Sequence, residues 1–166
     1  MTGAMLANYR LATANPTRPA GAADLLTRVD ALLREGRPRE ALALLPAAGP
    51  PRLRNARGVC MLRLGRPREA VEVLRDLVFN PDGFGIRPDA EPVFQANYAT
   101  ALLLDGNPDG FFGILGGIPE RTHPAVARLD DAIRRWKAGM TFWQRVGSAL
   151  GVGGPRFTLN FPPGEL

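Results

Sequence analysis

The chain contains one cysteine, Cys60, and one histidine, His123. A single cysteine cannot close an internal disulfide. A single histidine excludes a His–His metal pair or a relay between two imidazoles. Cysteine usage this sparse fits a reducing, intracellular location, and the cytoplasm is the expectation. Cys60 lies in the apolar stretch Val59-Cys60-Met61-Leu62, the setting of a small core residue rather than a nucleophile. Lysine is almost missing as well, with Lys137 the only one among 21 basic residues. No apolar run approaches the roughly 18 residues that a membrane-crossing helix needs. Met1 to Pro19 lacks a basic start followed by an apolar block, so a secretory signal is not expected.

What is plentiful is arginine, alanine, glycine and proline, a bias that fits a GC-rich bacterial genome. With 166 residues the chain suffices for one domain with a real core. Its net charge of +5 is unevenly spread. Residues 1–76 hold 13 arginines against 7 acids, residues 77–120 one arginine against 6 acids, and residues 121–166 seven basic residues against 3 acids. A basic, acidic, basic layout can steer docking to a protein partner, and it also describes three ordinary solvated faces.

One hexamer organises the rest. Gly36-Arg37-Pro38-Arg39-Glu40-Ala41 returns unchanged as Gly65-Arg66-Pro67-Arg68-Glu69-Ala70. Each copy stands between two apolar stretches of helical period. Leu25, Val29, Leu32 and Leu33 fall on one helical face ahead of the first copy, and Leu42, Leu44 and Leu45 follow it. Glycine suits the left-handed residue that closes a helix, because it has no side chain to clash. Proline suits the first turn of the next helix, where its missing N–H costs nothing. Glutamate in that turn complements the positive helix end. A small alanine lets two antiparallel helices approach. Pro46 ends the first unit early and Asn80-Pro81 closes the second. A loop rich in Gly, Pro and Asp spans Asp82 to Pro92. A third, altered copy follows Val93 to Asp105 as Gly106-Asn107-Pro108-Asp109-Gly110-Phe111. There Asn107 is a helix-capping residue, and Gly116, Gly117 and Pro119 keep the second helix short.

This pattern resembles the tetratricopeptide repeat family. The second unit places Gly58, Met61, Ala70, Leu74 and Pro81 at that motif's positions, the first Val29, Leu32, Ala41 and Leu45, and the third Ala99, Leu102, Phe111 and Leu115. The first-helix site precedes the second-helix site by twelve residues in every unit: 29 to 41, 58 to 70, 99 to 111. The chain departs from the family in using aliphatic residues at the aromatic sites, Phe111 at an alanine site, and a period that varies around the usual ~34 residues.

The expected fold is all-α: three tetratricopeptide-like helix–turn–helix repeats, at about 22–49, 51–81 and 91–117, stacked as a right-handed solenoid. A flexible arm, 1–21, precedes them. Residues 118–150 are expected to be capping helices, with Val126, Leu129, Ile133, Trp136, Met140, Trp143 and Leu150 on one seam. Residues 151–166 read as a glycine hinge and an extended tail, since Phe157, Leu159 and Phe161 alternate with polar neighbours. The tail is expected to dock on a helical surface of this chain or of a second copy.

No reaction is legible. His123 beside Pro124 reads as a helix start. Asp130 and Asp131 project about 100° apart on a helix and cannot share acid–base work. Asp82, Asp89 and Glu91 miss calcium-loop spacing, and Gly83-x-Gly85 lacks a nucleotide-loop context. The expectation is therefore no enzyme, no cofactor and no metal. The resemblance instead implies a module that binds a protein or peptide in a groove lined by the first helices of successive repeats. Residues expected there are Asp30, Arg34, Arg52, Asn55, Val59, Arg63, Thr100 and Leu103. Leu26 and Asp30 stand where the chaperone-binding members carry a basic residue and an asparagine, so a chaperone C-terminus is not the expected ligand. The alternative is arginine-driven binding of an anionic surface, nucleic acid or lipid, which the acidic middle segment disfavours.

Overall fold

The computed structural model describes residues 21–83, 85–141, 144 and 157–166. The expected N-terminal arm, the second capping helix through Trp143 and Leu150, and the glycine hinge lie largely or wholly outside those residues. Seven helices occupy the described part: α1 Ala22–Arg34, α2 Pro38–Leu44, α3 Pro51–Arg63, α4 Pro67–Val78, α5 Pro92–Leu104, α6 Pro108–Gly117 and α7 Pro124–Ala138. Six of them have proline at the first helical position, as expected of a residue without an N–H to satisfy.

The three turns between paired helices close alike. Gly36, Gly65 and Gly106 take φ of 72°, 70° and 85°. The next residue reaches back five positions: Arg37 N–H donates to Leu32 O at 2.8 Å, Arg66 to Met61 O at 2.9 Å, and Asn107 to Leu102 O at 2.8 Å. This closure satisfies carbonyls that the helix end leaves free. The start of the second helix is then fastened in two ways. Arg37 donates to both Glu40 oxygens at 2.7 and 2.6 Å, and Arg66 makes the same pair of bonds to Glu69. In the third copy Asn107 Oδ1 instead accepts from Gly110 N at 2.8 Å. A side chain at residue 110 would crowd that cap, since its Cβ would lie 2.7 Å from Asn107 Nδ2. The altered hexamer thus replaces a side-chain ion pair with a side-chain-to-backbone bond.

Helices pack against their chain neighbours from α1 through α6, and α1, α3, α5 and α7 also touch in series. Those four form one layer, with α2, α4 and α6 on its other side. This is an all-α helical-repeat solenoid, with α7 continuing the first-helix layer beyond the third pair. The packing rests on the small and apolar motif positions. Val29, Ala41, Ala70, Leu74, Ala99 and Phe111 have no exposed surface. Gly58 has no room for a side chain, because a Cβ there would lie 2.6 Å from Leu74 Cγ. Two apolar clusters result. A smaller one gathers Val29, Leu33, Ala41, Leu45, Leu53, Ala56, Val59 and Cys60. A larger one runs from Met61 through α4, α5 and α6 to Leu129. Burial pushes the Cys60 thiol up to about 11, as a core sulfur requires.

The longer spacing between the second and third turns is taken up by the loop after α4. Its backbone folds back on α4, with Arg87 N–H donating to Val78 O at 2.8 Å and an isolated antiparallel bridge between Phe79 and Ile86. Phe79 then meets Tyr98 of α5 edge to face, ring centres 5.6 Å apart. His123 caps α7, its Nδ1 accepting from Ala125 N at 3.3 Å.

Candidate partner-binding groove

The tail, residues 157–166, lies along the layer formed by α3, α5 and α7. Phe157, Leu159 and Phe161 pack on the larger apolar cluster, while Thr158, Asn160 and Pro162 are exposed. That alternation is the extended spacing read from the sequence. The Phe157 ring stacks on Phe111 with centres 5.6 Å apart and meets Trp136 edge-on at 5.4 Å. Phe111 is the residue that breaks the alanine pattern of the first two repeats. Its ring faces the tail, which accounts for the departure. Phe161 lies under the Arg128 guanidinium, 5.6 Å from its carbon, a cation–π distance.

Beyond Phe161 the tail runs antiparallel to α3 and is held by its backbone. Arg63 Nε donates to Pro163 O at 2.8 Å and Arg63 Nη2 to Gly164 O at 3.1 Å, while Nη1 reaches Leu33 O at 3.4 Å. Gly164 is buried at φ 81° against Val59 and Leu62. Glu165 N–H donates to Asn97 Oδ1 at 2.9 Å, and Glu165 O accepts from Asn97 Nδ2 at 2.6 Å and Asn55 Nδ2 at 3.2 Å. Asn97 Nδ2 also donates to Asn55 Oδ1 at 2.8 Å. The pairing fixes which end of each amide is oxygen, because a peptide N–H can only donate and its carbonyl only accept. Arg128 Nη1 completes the set with an ion pair to Glu165 Oε1 at 2.8 Å.

Electrostatics suit this use. Burial, more than any other influence, lowers the Arg63 pKa, and the neighbouring Arg128 acts in the same direction. The desolvated guanidinium stays charged and is spent on neutral carbonyls, which are strong partners for a cation with few competing waters. Asn55 and Asn97 are both buried, so their amides need partners beyond the one bond they make to each other. A peptide backbone laid across them does.

The expected site residues divide. Asn55, Val59 and Arg63 contact the tail, and buried Thr100 lies beside Phe161, Gly164 and Glu165 in the same depression, its Oγ1 donating to Ala96 O at 2.9 Å. Leu103 packs against the core. Asp30 and Arg34 pair with each other on α1, and Arg52 pairs across to Glu91 at 3.3 Å. Asn97 and Arg128 were not among the residues read from the sequence. The one available signal for Asn97 is that asparagine is a poor residue for the middle of a helix. Arg128 carries no such mark.

A second depression lies outside the groove, between α3, α4 and the loop after α4. Arg54, Arg75 and Arg87 line it with Asp76. Arg54 is paired to Asp76 at 3.1 Å and Arg87 to Asp89 at 2.8 Å, so its positive charge is largely answered. Among the described residues no three His, Cys, Asp or Glu side chains come together as a metal set, and no helix is long and apolar enough to cross a membrane.

Residues 25–45 and 51–76 match the tetratricopeptide repeat family model. They cover the first two helix pairs. No curated protein and no solved structure matches the chain significantly.

Proposed function

The first two helix pairs are tetratricopeptide repeats, and from that premise we propose that the chain is an interaction module that binds an extended segment of a partner protein on its first-helix face. Such repeats serve protein–protein interaction, and stacked repeats present elongated binding surfaces. The observation that carries the reading is the clamp formed by Asn55, Asn97 and Arg63. Together they make five hydrogen bonds to the backbone of an extended peptide, here the chain's own tail. Backbone bonds give affinity for an extended segment, and pockets for alternate side chains give selectivity. The same arrangement explains why two buried asparagines are kept in helices that would be better off without them.

The test is affinity capture from the native host with a chain carrying Gly164→Val, which loosens the tail from the clamp, and with a chain that carries Asn55→Ala, Asn97→Ala and Arg63→Ala as well. Circular dichroism checks that the helices remain. Partners retained by the first and lost by the second support the groove. An identical set of captured proteins would remove it.

A further inference from the structure

Resting on the groove reading, we propose that the partner segment carries a glycine followed by an acidic residue, and that it takes the place now held by Gly164 and Glu165. Most of the clamp is indifferent to sequence, because it touches only carbonyls and one N–H. Two positions are not indifferent.

At the first, Gly164 is buried with φ 81°. A Cβ there would lie 3.1 Å from both methyls of Val59 and 3.3 Å from Leu62 Cδ1. Any other residue meets a backbone conformation that L side chains disfavour and two packed helix residues at once. Val59 is itself fully buried, so it would have to shift within packed surroundings to make room. At the second, the backbone N–H of Glu165 is held by Asn97 and its C=O by both Asn97 and Asn55, so the side chain leaves in a set direction. There it meets Arg128, whose guanidinium pairs with the carboxylate and lies over the Phe161 ring. A neutral side chain leaves that guanidinium unpaired, and a basic one is repelled. The aromatic position three residues before the glycine adds apolar contact with less discrimination.

The chain's own tail meets both requirements and is tethered. Tethering gives it an effective concentration on the order of millimolar, so a free segment of the same chemistry competes only when the tail is weakened or when it binds more tightly.

The experiment uses the full chain and fluorescent ten-residue peptides of the sequence 157–166, read by anisotropy. Gly164→Val in the full chain spoils the tail's fit and leaves every groove residue in place. The unaltered peptide is expected to bind this variant at least about tenfold more tightly than the unaltered chain. A peptide with Gly164→Ala is expected to bind the variant about tenfold more weakly, and so is one with Glu165→Lys. The Glu165→Lys peptide should recover on a chain carrying both Gly164→Val and Arg128→Glu. Arg128 is half exposed, so that change spares the core. Equal binding of all three peptides would overturn the selection and leave the groove standing. Failure of the unaltered peptide to bind the Gly164→Val chain would overturn both. Failure of the charge swap to restore binding would overturn the role of Arg128.

Discussion

The side-chain amide of Asn97 exchanges two hydrogen bonds, 2.9 Å and 2.6 Å long, with the backbone N–H and C=O of Glu165, although 68 residues separate them in sequence. The asparagine acts as one rung of a β-ladder carried on a helix. Asn97→Ala removes both bonds and also the partner of Asn55 Oδ1. The expected cost is about 1–3 kcal/mol, the usual consequence of leaving buried polar groups unpaired. The sharper measurement is amide hydrogen exchange at Glu165, which should become fast while exchange in α4 stays slow. Protection at Glu165 that survives the substitution would show that the tail is held by something else.

Gly58 of α3 lies directly against the Leu74 side chain of α4. Gly58→Ala forces a Cβ to within 2.6 Å of Leu74, and overpacking of this kind costs roughly 1–3 kcal/mol. Leu74→Ala leaves a cavity and costs about 2–5 kcal/mol. The double substitution is expected to cost clearly less than the two together, since the smaller residue 74 makes room for the new methyl. Urea unfolding of the four chains measures the coupling. Simple additivity would mean that the two helices do not meet where the structure has them.

Cys60 gives a pH prediction. Its ordinary thiol value is 9.0 and burial pushes it up to about 11. The folded value is the higher one, so the stabilisation is fully present below pH 9. It is lost as pH rises from 9 through about 11, the range in which the unfolded chain has ionised and the folded one resists. The loss attributable to this residue is roughly 2 kcal/mol. Buried Tyr98 is shifted upward for the same reason, so the comparison must be with Cys60→Ala, which lacks the thiol and keeps the tyrosine. Unfolding free energies measured at pH 8 and at pH 10.5 should converge between the two chains as pH rises. A constant gap would mean that the sulfur is solvated.

The parts of the fold that were legible in advance are local ones. Gly36, Gly65 and Gly106 close their helices, and the prolines after them open the next, because both effects depend on φ and on a missing N–H within a few residues. The twelve-residue offset between Gly58 and Ala70 carries the helix pairing, since it sets where two antiparallel helices cross. Phe111 was visible only as a departure from that pattern. Its reason, the Phe157 ring packed against it, is supplied by a segment 46 positions away. Half of the expected groove residues lie at the tail and others do not, because a helix face can be assigned from periodicity while the path of a peptide across it cannot. Asp30 and Arg34 are on the right helix layer but spend their charge on each other.

The sequence by itself determined the helices, their turns, the repeat architecture and the alternation of packed and exposed residues from Phe157 to Pro162. All of these follow from dihedral preference and apolar period, which act over a few residues. Only the tertiary structure decided what the first-helix face holds. Asn55 in α3, Asn97 in α5, Arg128 in α7 and Glu165 in the tail meet because three helices stack side by side and a fourth segment crosses them. Their convergence depends on packing distances between remote parts of the chain, and no local rule carries that information.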